Sequence, residues 1–261
     1  MPRICVCVEP LFPDLSLAQR AEKVADAGFD TIEFWFYDMG GDRGIDTLAH
    51  VCRERGIAIN DIVVNSPDGS IGGSLVSPDD RPKYLDRLRE TIEVAQRLGC
   101  SKLITCTGNT LPSVPVEAQR KAVVDNLKAA SEVAADAGMT LVVEALNSLV
   151  DHEGYFLDSP DDAASIVREV DHPNVKYLYD VYHMQIMRGN VIATIERDID
   201  VIGHFHSAGV PGRHELSDGE LNYPNILRRI DQLGYDACFG LEYWPLGDHG
   251  ESLRLMRALT R

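Results

Sequence analysis

The chain has 261 residues, with 25 Lys and Arg against 41 Asp and Glu, a formal charge of −16 and 44% hydrophobic residues. That is the composition of a folded globular chain, and one α/β barrel of this length can bury roughly three quarters of its surface without staples. The acidic balance argues against nucleic-acid partners and anionic membrane surfaces, and no apolar run approaches the ~20 residues of a bilayer span.

In chain order, the start Met1-Pro2-Arg3 leads directly into Ile4-Cys5-Val6-Cys7-Val8. It is too short, and lacks the small-residue cleavage site, to read as a signal peptide. Short apolar runs follow at 3–9, 29–34, 57–65, 102–107, 140–145, 175–180, 201–207 and 237–243. Each is too short for a globular helix and rich in β-branched and aromatic residues, so eight strands are predicted. Amphipathic segments lie between them. Ser16 with Gln19 forms a capping box for a helix stopping at Gly28. Ser77-Pro78 opens a second ending at Gly99, a third spans about 116–138, Ser159-Pro160 starts a fourth, and Asn222-Tyr223-Pro224 starts one ending at Gly234. The repeated strand–helix alternation predicts a single (β/α)8 TIM-barrel domain over residues 1–261. An open doubly wound sheet is the alternative, weakened because no G-x-G-x-x-G follows the first strand. Residues 65–77 form the longest irregular stretch, either a plain loop or a lid. The six cysteines form no C-x-x-C pair and read as reduced core thiols of a cytoplasmic protein.

In such a barrel the working residues sit at the C-terminal ends of the strands. Strands 5 to 8 end on Glu144, Asp180, His206 and Glu242. Asp, Glu and His are abundant here, so parity has to support the pattern. Cys238, Gly240 and Glu242 share one face of strand 8 and Phe239, Leu241 and Tyr243 the other. The small residues suit the crowded barrel interior, which turns Glu242 inward at the mouth. Val142 pairs with Glu144 in the same way, Leu178 with Asp180, and His204, one step deeper, with His206. Three carboxylates and an imidazole suit a hard or borderline divalent ion, Mn2+ or Mg2+ ahead of Co2+ or Zn2+. Without a cation such a cluster repels itself unless protons are shared.

Other residues lie near those strand ends. Asn147 and His183 stand three positions beyond Glu144 and Asp180 and can face the pocket; the alternatives are a turn residue and a capping or packing histidine. Arg213, in the loop after strand 7, can grip a carboxylate through its planar fork, or form a loop salt bridge. Trp35, with Phe34 and Phe36, and Trp244 can wall a pocket or pack its rim. There is no phosphate loop and no nucleophile elbow.

The stretches Glu144-Ala-Leu-Asn147, Gly154-Tyr-Phe-Leu157, Tyr179-Asp-Val-Tyr-His-Met-Gln185, Pro211-Gly-Arg-His-Glu215, Gly219-Glu-Leu-Asn-Tyr-Pro224 and Leu233-Gly-Tyr-Asp236 leading to Glu242 carry a resemblance. Across essentially its whole length the chain resembles hydroxypyruvate isomerases, members of the xylose-isomerase-like TIM barrels, with ketose 3-epimerases as close relatives. The resemblance implies a metal held by Glu144, Asp180, the residue at 206 and Glu242. It implies Glu144 and Glu242 as the acid/base pair, and substrate contacts from His183 and Arg213. Departures bear on the substrate. Hydroxypyruvate isomerases generally carry Gln where His206 stands, whereas the epimerases carry His. Hydroxypyruvate isomerases also carry Asp at Gly209, a small polar residue at Glu9 and Pro-Gly-Thr at Leu216-Ser217-Asp218. The expectation is an enediolate-forming isomerase of hydroxypyruvate or a similar short hydroxy-oxo acid, the alternative a ketose epimerase or sugar isomerase. The expected partner is a small molecule, with self-association into a homo-oligomer a weaker expectation.

Overall fold

The computed structural model describes residues 1–260. Eight parallel strands, β1 (Arg3–Cys7), β2 (Thr31–Phe34), β3 (Ala58–Val63), β4 (Lys102–Thr105), β5 (Thr140–Glu144), β6 (Val175–Asp180), β7 (Ile202–Ser207) and β8 (Cys238–Leu241), close into a barrel in chain order. All eight predicted strands are present, with β8 pairing back to β1. Around them run α1 (Leu17–Asp26), α2 (Ile45–Arg55), α3 (Arg81–Leu98), α4 (Val116–Asp136), α5 (Pro160–Val170), α6 (Val181–Met187), α7 (Val191–Asp198), α8 (Tyr223–Gln232) and α9 (His249–Leu259). No helix among the described residues is long and apolar enough to cross a membrane.

Local chemistry accounts for the helix starts. Ser16 and Gln19 form the capping box of α1, Ser159 accepts from the Asp162 N–H, and Asn222 accepts from Asn225 N–H. Ser77 differs from expectation. Pro78–Asp80 make a 3-10 turn and the α-helix begins only at Arg81. Pro82 has no N–H to donate, so it fits only the first turn, and the helix must start beside it. The sequence reading missed α2, α6, α7 and α9. Gly44 and Asn190 begin α2 and α7 in the left-handed region without a side-chain cap, which leaves no signature. The cap of α6 is Asp180, the last residue of β6. Asp248 caps α9, with Glu251 three residues on, and that signal was readable.

Outward-facing strand residues such as Ile32, Leu103, Tyr177, Phe205 and Phe239 are buried under the helices. Burying each large side chain is worth about 1.5–3 kcal/mol. The barrel interior is divided. Val63, Ile104, Val142 and Leu178, with Phe36, form a small apolar cluster on one side. Opposite lie buried polar residues, Glu33, Asp61, His204 and His206. A bulge sets this register: Tyr177 pairs with Ile202, but Leu178 pairs with His204, so Gly203 is skipped. A Cβ at Gly203 would lie 2.6 Å from that of Lys176, so the bulge takes glycine there.

The segment 65–77 is tied down. Asn65 donates to Gly73 O and Cys106 O at 2.9 Å each, and accepts from Thr105 Oγ1 and the Cys106 N–H. Leu75 and Val76 donate backbone N–H groups to Thr107 O, and Asn126 donates to Leu75 O. Asn65→Ala leaves several of these buried groups without partners. It is expected to cost about 2–3 kcal/mol, read as a fall in the urea midpoint with an unchanged slope; an unaltered midpoint would mean that the segment is not anchored through Asn65.

Candidate active site

The mouth of the barrel gathers side chains from four successive strands. Glu144 ends β5, Asp180 ends β6, His206 lies opposite Asp180 in β7, and Glu242 follows β8. One donor atom from each lies within 4.8 Å of every other, and all four residues are buried. His206 Nδ1 is 3.3 Å from Glu144 Oε1 and 3.5 Å from Glu242 Oε2.

Asp180 divides its carboxylate between two tasks. Oδ1 accepts the Tyr182 and His183 N–H groups at 2.7 and 3.2 Å, capping α6. Oδ2 turns towards the cluster, 3.9 Å from the Arg213 guanidinium and 3.6 Å from His183 Nε2. The strand-to-helix junction thereby aims the second oxygen at the site.

Arg213 is clamped in place. It has φ of 60°, a left-handed conformation uncommon for a residue with a side chain. Its carbonyl accepts the Trp244 N–H at 2.8 Å, and its guanidinium lies 5.2 Å from the Tyr182 ring and 4.9 Å from the Trp244 ring. One end pairs with Glu242, while Nε is buried without a hydrogen-bond partner. Trp35 donates its indole N–H to Glu242 Oε1 at 2.7 Å. Its own backbone N–H is held by Glu9, which is paired with Arg43 at 2.7 Å.

The surroundings shift the ionisable groups. Burial pushes the Asp180 carboxyl up to about 7, against the opposing pull of Arg213 and His206. Burial acts on Glu242 in the same sense, but Arg213 and His206 outweigh it and hold that carboxyl below its ordinary value. For His206, burial is overcome by Glu33 and Glu242, which raise it well above the ordinary imidazole. His183 is lowered by burial, then by Arg213.

A cavity of about 390 Å³ opens over the cluster, walled by Trp35, Phe36, Ile104 and Trp244 and reached by Glu144, His206, Arg213 and Glu242. That volume suits a small molecule. Of the sequence candidates, Trp35 and Arg213 line it. His183 and Asn147 are fully buried and are not among its lining residues. The Asn147 amide is committed: Nδ2 bonds Asp151 and His183, and Oδ1 caps the Val150 and Asp151 N–H groups. The Asn147 N–H also donates to His183 Nδ1 at 3.1 Å, so that nitrogen is the acceptor and Nε2 carries the proton. Beneath the cluster, Glu33 and Asp61 were not picked out from the sequence. Both are acids at inward positions of otherwise apolar strands, which is the signal that could have found them.

The donor set fits a divalent ion. His206 Nδ1 is buried and has no well-formed hydrogen bond, and three carboxylates meet it. Hard oxygens with one imidazole are ligands for such ions.

Comparison with known proteins places the chain. A family model described as xylose isomerase-like TIM barrel matches residues 21–259. The chain is similar to the 2-oxo-tetronate isomerase of Pectobacterium atrosepticum, 31% identical over 97% of this chain and 96% of that one. It is 30% identical to the hydroxypyruvate isomerase of Escherichia coli, over 98% of each. A solved structure titled AP endonuclease, family 2, from Brucella melitensis superposes with a TM-score of 0.90 at 29% identity, covering 99% of each chain. The chain belongs to the xylose isomerase-like TIM barrel family, and the two relatives from Pectobacterium atrosepticum and Escherichia coli are named isomerases.

The buried groups generate a pH prediction for the ion-free protein. Asp180 stands near 7 rather than 3.8, Asp61 likewise, and His206 above 6.5. The folded chain keeps the Asp180 and Asp61 protons from about pH 4 up to about 7, and the His206 proton above 6.5, where the unfolded chain has released them, so stability falls as pH rises above about 6.5 towards pH 8. Below that, the depressed His183 and His204 act in the opposite sense. Saturating Mn2+ should flatten the fall above pH 6.5 and add about 2.7 kcal/mol at a hundredfold excess over its dissociation constant. Urea unfolding at both pH values, with and without the ion, measures this; stability that rises with pH and ignores Mn2+ would contradict the assignment.

Proposed function

We propose that this member of the xylose isomerase-like family interconverts a short hydroxy-oxo acid, hydroxypyruvate or a close analogue, with its aldehyde isomer (tartronate semialdehyde for hydroxypyruvate) through an enediolate. The observation that supports it best is Glu144 and Glu242 converging with Asp180 and His206 at a cavity lined by the Arg213 guanidinium. Glu144, Asp180, His206 and Glu242 would hold one divalent ion, Mn2+ or Mg2+, which when bound polarises a carbonyl and stabilises the charge of an enediolate.

The chain's own groups supply the rest. A glutamate of the Glu144/Glu242 pair takes the proton from the hydroxyl-bearing carbon as general base, and a carboxyl of the pair returns a proton to the neighbouring carbon. The hydroxyl proton passes to the former carbonyl oxygen, so the isomerisation balances without an external oxidant. Glu242 is kept ionised by Arg213 and oriented by the Trp35 indole N–H. The Arg213 guanidinium lines the cavity with one nitrogen on Glu242, and the Nη1 end of its fork is the donor left for a substrate carboxylate. His183, fixed as the Nε2–H form by Asn147, turns that N–H towards Asp180 Oδ2 at 3.6 Å and acts on a substrate through that carboxylate. Trp35 and Phe36 wall the cavity and exclude water from the carbanion.

A second reading, epimerisation or isomerisation of a neutral ketose, is favoured by the cavity, whose roughly 390 Å³ exceeds what a three-carbon acid fills. The charge of −16 weighs against a polynucleotide substrate.

Proton NMR in D2O of the Mg2+-loaded protein separates the readings. C–H to C–D exchange of hydroxypyruvate, with tartronate semialdehyde appearing, supports the first. Exchange confined to a ketose, with an epimer or aldose appearing, supports the second. Glu144→Gln and Glu242→Gln are each expected to lower turnover by about 10²–10⁴-fold; near-normal activity in both would remove the acid/base assignment. Arg213→Ala should reduce kcat/KM for an acid more than for a neutral ketose, and equal losses would remove its carboxylate role.

A further inference from the structure

Beneath the mouth lies a second buried group that the proposed chemistry does not use. Glu33, Asp61 and His204 each have 2% or less of their surface exposed. His204 Nε2 is 3.0 Å from Glu33 Oε2 and 3.3 Å from Asp61 Oδ2. Its Nδ1 is 3.1 Å from the Cys238 carbonyl. A carbonyl only accepts, so Nδ1 carries the proton and the His204 ring is locked in place. Cys5 Sγ–H donates to Glu33 Oε2 at 2.9 Å. These contacts occupy one oxygen of Glu33. The other, Oε1, lies 3.2 Å from His206 Nε2. The two atoms stand at hydrogen-bond distance but off the hydrogen-bond line, and each is buried without another partner.

His206 therefore spans two layers of the barrel. Nδ1 faces Glu144 and Glu242 above, and Nε2 faces Glu33 below. Gly240 makes room for this: a Cβ there would stand 2.5 Å from Glu33 Oε1 and 2.7 Å from His206 Cδ2. A histidine that ligates through one nitrogen commonly donates its other N–H to a carboxylate, which fixes the tautomer and the ring plane.

We infer that Glu33 is the positioning residue of the site, accepting the Nε2–H of His206 so that the Nδ1 lone pair is the one offered to the Glu144–Asp180–Glu242 side. This rests on the reading of those four residues as ligands of a divalent ion. Cys5 acts through Glu33, its Sγ–H holding the carboxylate at the depth where Oε1 meets the ring, and the fixed His204 ring packs against the same oxygen.

The test uses Zn2+ alone, a diamagnetic probe, on the full chain, with imidazole ¹⁵N NMR and competition titration. In the wild type, Zn2+ should shift Nδ1 of His206 and leave Nε2 protonated. Glu33→Ala should weaken Zn2+ binding about 10–100-fold and let the ring sample the other orientation, whereas Glu33→Gln, which keeps an acceptor oxygen, should stay within about tenfold of wild type. The wild-type spectrum and Glu33→Gln keep the test decisive if Glu33→Ala fails to fold. Coordination through Nε2, or equal affinity in folded Glu33→Ala, overturns the inference alone. A wild-type chain that binds no Zn2+ overturns the ion-site reading and the inference together.

Discussion

Five carboxylates, Glu33, Asp61, Glu144, Asp180 and Glu242, are buried within one barrel, and the need to balance their charge organises everything around them. Burial disfavours an ionised carboxylate, and like neighbours disfavour it further. Two cationic groups answer on the chain's side. Arg213 reaches in from the loop after β7, and His206 stands between the upper and lower acids. The balance is uneven: Glu242, paired with Arg213, is driven down, while Asp180 and Asp61 are driven up to about 7. An acidic mouth with a donor set suited to a cation is the natural result.

Arg213 shows how much surrounding structure that constraint recruits. Its φ is positive, its carbonyl accepts from Trp244, and its guanidinium lies over the Tyr182 and Trp244 rings. Trp35, held by Glu9 and Arg43, meets the other oxygen of Glu242. Glu242 is thus gripped from two loops. A carboxylate so held loses little orientation when a substrate arrives, which is the condition for acid–base work by fixed groups.

The division of the barrel interior serves the same end. The apolar cluster of Val63, Ile104, Val142 and Leu178 fills the side under Glu144 and Asp180. The opposite side, next to β8 and its glycine, is given to Glu33, His204 and His206. Glu144 ends β5 and Glu242 directly follows β8, so strands place both catalytic candidates, while Arg213 and Trp35 reach Glu242 from loops.

Much of this was legible in the sequence because it is local. The eight strands follow from short β-rich runs, and the capping residues Ser16, Ser159 and Asn222 mark helix starts. The period of two turns Glu144, Asp180, His206 and Glu242 inward whatever the helices do. Tertiary structure decided the rest. α2 and α7 begin on left-handed residues with no capping signature, and the bulge that skips Gly203 emerges only from strand pairing. Glu33 and Asp61 sit in strands otherwise read for their apolar residues. They acquire meaning only when closure brings β2 and β3 across from β7, 171 positions separating Glu33 from His204. Asn147 and Arg213 had two readings each from spacing, and partners remote in sequence settled their contacts: Asn147 on His183, Arg213 on Glu242. Periodicity records which way a side chain points; which charge it meets there is a property of the closed barrel.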